Sequence, residues 1–112
     1  MSEHDAQERY RAAVLTWDEA HAEPSRANRH FDSLHALYKE MRQSAEGRSA
    51  IVGLLRDPVP AVRLCAATHV LPWSPLLAEP VLEELAQEET LHAVSAKWTL
   101  RSHRAGTLNL DW

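Results

Sequence analysis

Apolar residues recur along the chain at intervals of three and four. That spacing predicts helices throughout. Tyr10, Ala13, Val14 and Trp17 mark one face of a first helix over about residues 4–22, which Pro24 stops. Phe31, Leu34, Leu37 or Tyr38, and Met41 give the stripe of a second helix, about 27–45. Gly47 is its expected stop, because glycine enters the left-handed conformation without a Cβ penalty. A third helix covers about 48–56, with Ile51, Leu54 and Leu55 inward. Asp57-Pro58-Val59-Pro60 then reads as a tight turn, and Pro60 suits the first turn of a fourth helix, about 60–71. Pro72 ends that helix, and Ser74 is the expected N-cap of a fifth, about 75–88. Pro80 falls inside it and predicts a kink or a short first turn. Thr90 is the expected cap of a sixth helix, about 90–104, which Gly106 ends. The tail from Thr107 to Trp112 is partly apolar and either lies back on the body or serves as a contact arm.

The pattern contains an internal repeat. Ile51, Val52 and Leu55 correspond to Val81, Leu82 and Leu85. After the turn, Val62, Ala67 and Leu71 correspond to Leu91, Ala96 and Leu100. Large aliphatic residues fall on the first helix of each unit and small ones (Ala66 and Ala67, then Ser95 and Ala96) on the second, where helices approach closely. One such pair cannot bury its own apolar face, so pairs stack. The expected fold is therefore all-α, a right-handed α-α superhelix of about six helices built from stacked hairpins. Its expected organisation is one domain over residues 1–112: an N-terminal hairpin (1–47), a well-formed unit (48–71), a degenerate capping unit (75–104) and a tail (105–112). A chain of 112 residues suffices for one core without metal or disulfides.

The segment from Leu54 to Ala67, with Asp57-Pro58, then Val62-Arg63, then Ala66-Ala67, resembles a short HEAT repeat. The resemblance implies structural roles for these residues. Asp57 would cap the second helix, and Arg63 would bond turn carbonyls or a capping Asp. The second unit lacks the Asp-Pro turn and has His92 where the arginine would fall. Over most of the chain the order of elements, with Asn28-Arg29 near the start of the second helix, is similar to a family of small bacterial HEAT-like domains of unknown function. Members of that family often stand beside polymorphic toxin genes. The resemblance implies an immunity protein that neutralises a toxin by occlusion, and a structural role for Asn28 and Arg29.

Charge narrows the classes of partner. The formal net charge is −4, and no Lys or Arg occurs from Leu64 to Ala96, a stretch that carries Glu79, Glu83, Glu84, Glu88 and Glu89. Such a face argues against nucleic acid, whose binding draws on basic patches. It is either a solvated helix face or a docking surface for a basic partner, such as a toxin domain with a basic surface. Trp73, in an interhelix loop, and Trp112, the last residue, are the aromatic contact candidates beside Glu79, Glu83, Glu84 and Asp111. Trp17 and Trp98 fall on apolar stripes and are expected in the core.

Little else points to chemistry. The seven histidines include no His-x-x-x-His pair on one helix face, and no metal site or cofactor is expected. Cys65, the one cysteine, stands at a small-residue position and reads as a buried thiol. No phosphate-binding glycine loop or Gly-x-Ser-x-Gly elbow occurs, and an enzyme is not expected. The polar N-terminus and the absence of a long apolar run predict a cytoplasmic protein away from membranes, and a monomer is favoured. The alternative to an immunity protein is an interaction scaffold or a small subunit of a larger complex.

Overall fold

The periodic stretches become six α-helices in the computed structural model, which describes residues 2–112. They are α1 (Glu3–Glu19), α2 (Pro24–Met41), α3 (Ala45–Val52), α4 (Pro60–Val70), α5 (Pro75–Gln87) and α6 (Ala93–Arg104). The described residues contain no strand, and the fold is all-α as the spacing predicts.

Several boundaries differ from the expected ones, each for a local reason. Pro24 does not stop α1; it opens α2, where its missing N–H costs nothing. Gly47 does not end α2; it lies buried in the first turn of α3. Its N–H donates to the Oγ of Ser44, the N-cap, at 3.0 Å. A Cβ there would collide with the main-chain carbonyl of Met41, so glycine serves close approach rather than a left-handed turn. Thr90 does not cap α6; its hydroxyl accepts from the His92 N–H at 3.3 Å, and the helix begins at Ala93. Ser74 is the N-cap residue of α5, without a side-chain cap bond. Pro80 lies inside α5, which runs through it unbroken. Gly106 ends α6 as expected: its φ is 74°, its N–H donates to His103 O, and the Thr107 N–H reaches back to Ser102 O at 2.9 Å. That pair of bonds is a Schellman cap.

The helices group into two compact units, one ending at Leu54 and one running from Leu55 to Trp112. This division falls within the 48–71 segment that the repeat pattern treats as one element. In the first unit α1 packs against both α2 and α3. Tyr10 and Val14 of α1, Leu34, Tyr38 and Met41 of α2, and Ala50 and Ile51 of α3 are buried. The Gln7 amide donates to Ala50 O at 3.1 Å and ties α1 to α3. At the rim, half-buried Trp17 meets the more exposed Phe31 edge to face, with ring centres 5.9 Å apart. Trp17 is thus a rim residue rather than a core one.

In the second unit α5 is the middle helix and packs on α4 and on α6. Val81, Leu82 and Leu85 give its buried stripe, facing small residues of its neighbours: Ala66 and Ala67 of α4 are fully buried, as is Ala96 of α6. Ile51, Leu55, Ala67 and Leu71 are buried, as are their counterparts Val81, Leu85, Ala96 and Leu100, while Val52 is only half-buried where its counterpart Leu82 is fully buried. The pairing of Val62 with Leu91 fails: Val62 is buried and Leu91 is 82% exposed. Because α6 starts only at Ala93, its inward stripe is Ala93, Ala96 and Leu100.

Candidate functional site

The carboxylates of α5 do not form a free acidic face. Arg56 donates to Glu84 at 2.8 Å. Arg63 forks onto Glu88, its two terminal nitrogens at 2.9 and 3.2 Å from the two carboxylate oxygens. Arg104 bridges Glu79 at 3.3 Å and Glu83 at 2.6 Å. The hydrogen bond to Glu83, with Glu79 beside it, holds the Arg104 guanidinium above its ordinary range. All three arginines lie outside the Lys/Arg-free stretch and reach in from the segments that flank it. Of the five glutamates in that stretch, Glu89 is the one exposed without an ion pair among the described residues.

The motif residues of the turn are placed differently from expectation as well. Asp57 Oδ1 accepts the Val59 N–H at 2.9 Å, closing the turn at the N-cap residue of α4. Arg63 joins α4 to Glu88, beyond α5, instead of bonding a turn carbonyl. Val62, Ala66 and Ala67 are buried, and Pro58 is exposed. Asn28 and Arg29 are exposed on α2, and their side chains make no hydrogen bond or ion pair among the described residues. Trp73 is half-buried between α4 and α5. In the tail, Trp112 is 52% exposed, and the Asp111 N–H donates to the Asn109 side chain at 2.9 Å.

The feature that sequence reasoning missed is the outer side of α6. Residues advance about 100° each around a helix, so Val94, Trp98 and Arg101 share one side. Ala93, Ala96 and Leu100 occupy the opposite side, which is buried. Leu91, in the turn leading into α6, is exposed as well. Val94 is 61% exposed and Trp98 59%. Trp98 is therefore a surface residue, not a core one. Two apolar stripes on one helix explain the misreading: periodicity reports that residues share a face and not which face turns inward.

Charge and shape complete this surface. The Arg101 guanidinium lies 5.0 Å from the centre of the Trp98 ring, a cation–π contact. Val94, Lys97, Trp98 and Arg101 line a shallow groove of about 130 Å³. A second groove of about 550 Å³ shares Lys97 and Arg101 and extends along α6 to Arg104 and Ala105. A third, of about 570 Å³, lies between α5 and α6 and is walled by Pro80, Glu83, Glu84 and Arg104 among others. Contiguous exposed apolar residues with a charged rim are the ordinary signature of an interaction surface.

Other chemistry-bearing groups do not gather. Among the described residues no three His, Cys, Asp or Glu side chains converge as a metal ion would require. His35, His69 and Cys65 are each buried, His35 against the Tyr38 ring. No described helix is long and apolar enough to cross a membrane.

Comparison with known proteins agrees with this frame. A family model described as a domain of unknown function (DUF2019) matches residues 8–103. The chain is similar to a crystal structure of the protein RPA1889 from Rhodopseudomonas palustris CGA009, with a TM-score of 0.87 and 26% identity. The match covers 97% of this chain and 93% of that one. No curated protein matches the chain.

Proposed function

The chain belongs to the family described as a domain of unknown function (DUF2019), and on that footing we propose that it is a non-catalytic protein-binding module. The observation that carries the reading is the outer side of α6: Val94 and Trp98 exposed on one side, Leu91 exposed in the turn before the helix, and Arg101 stacked on the tryptophan. Trp and Arg supply much of the binding energy at interfaces, and a helix holds them at low entropic cost. The more specific role is that of an immunity protein that occludes a toxin, for which the support is the resemblance of the element order to toxin-associated domains. Steering by a free acidic α5 face contributes little, because most of those carboxylates hold arginines of the same unit.

The test is co-purification of the tagged chain from its native host, in parallel with a Leu91→Asp, Trp98→Ala variant. The expected result is a stoichiometric protein retained by the parent chain and lost by the variant. If no partner is retained, or if the variant retains it equally, the module is not built on α6. Expression of the partner alone then separates the two roles. Growth arrest relieved by this chain supports immunity, and harmless expression supports a scaffold or small subunit.

A further inference from the structure

We infer that the outer side of α6 takes an acidic segment of a partner protein, anchored by one or two apolar side chains. This rests on the reading of that side as a protein-docking surface and adds the chemistry of what docks. The α6 sequence, Ala93 to Arg104, contains no Asp or Glu and carries Lys97, Arg101, His103 and Arg104. Arg104 is engaged by Glu79 and Glu83. Lys97 and Arg101 make no ion pair among the described residues, and they flank Trp98 and line the same groove. Cations in the last turn of a helix also complement its carbonyl end. That structural use accounts for His103 and Arg104 but not for Lys97, which stands in mid-helix, nor for the stacking of Arg101 on an exposed indole.

The arrangement selects among occupants. The groove beside Val94 and Trp98 has room for about one aliphatic or phenyl side chain. Arg101, over the ring, has planar donors that can meet a carboxylate with two parallel bonds. Lys97 adds a second cation on the same rim. A second copy of this chain fits poorly, because pairing the same side of two α6 helices brings cations to cations without one acid between them. Nucleic acid fits poorly too: backbone affinity grows with the number of neutralised phosphates, and two unpaired cations offer few. A protein segment that is at once apolar and acidic satisfies both the stripe and its rim.

The experiment pans a displayed random-peptide library on the intact chain, removing sequences that also bind the Trp98→Ala variant. Trp98 and Val94 are exposed, so Trp98→Ala and Val94→Asp should keep the fold, which far-ultraviolet circular dichroism and thermal unfolding verify. The expected consensus has net negative charge and one or two apolar residues. The synthetic consensus peptide should bind Trp98→Ala and Val94→Asp at least about tenfold more weakly, and the Lys97→Glu, Arg101→Glu pair about tenfold more weakly. A basic or uncharged consensus that still depends on Trp98 overturns the inference and leaves the docking reading standing. Failure to recover any Trp98-dependent peptide overturns both. So does Trp98-dependent binding found only with phosphatidylglycerol vesicles, or only as self-association in sedimentation.

Discussion

α5 and α6 pack side by side and use charge in opposite ways. α5 carries three glutamates, Glu79, Glu83 and Glu84, and all go to arginines of the same unit, as does Glu88 at its end. α6 carries Lys97, Arg101, His103 and Arg104, and of these Lys97 and Arg101 are left facing outward around an exposed tryptophan. The number of charges on a helix is thus a poor guide to their availability. What matters is whether a counter-charge on another element lies within reach, and three arginines from flanking segments are within reach of α5.

The contrast can be broken at several strengths. Leu85→Ala, on the fully buried side of α5, should cost about 2–5 kcal/mol in denaturant unfolding and loosen both neighbours of that helix. Arg63→Ala comes next. It strands the half-buried Glu88 carboxylate and should cost roughly 1–3 kcal/mol. A Glu88→Gln change on that background should recover part of the loss, which a double-mutant cycle would measure. Arg104→Ala removes solvent-exposed bonds to Glu79 and Glu83. Its effect on the melting temperature should be smaller than that of Arg63→Ala and should shrink further as salt is added. Trp98→Ala should be the mildest, within about 0.5 kcal/mol of the parent, because the indole buries little in the free chain. A large loss of stability there would mean that the outer side of α6 supports the fold, and the contrast with α5 would collapse.

Much of the fold was legible because helical spacing is a local property. Pro60 and Ser74 announced the starts of α4 and α5, and Gly106 announced the end of α6 with the expected positive φ. Pro24 and Gly47 were misread because each residue type has two uses: proline both stops and opens helices, and glycine serves either a left-handed turn or a close approach. The candidate site was barely legible. The ion pairs that engage α5 join residues 21 to 28 positions apart, and no local pattern encodes them. Trp98 sat on a real apolar stripe, but α6 has two, and only the packing of α5 decides which one is buried.

Gly47 carries a consequence for anyone reading a saturation-mutagenesis map of this protein. Because a Cβ at that position meets the Met41 main chain, nearly every substitution there should be depleted, and the column would look like a functional hot spot. Gly53 should be more permissive, since the obstacle is the flexible amide of Gln7. Scored for abundance, position 47 should be empty and position 98 full; scored for binding, both should be empty. The difference between the two columns, rather than the depletion in either, is what separates a residue that builds the protein from one that the protein offers to a partner.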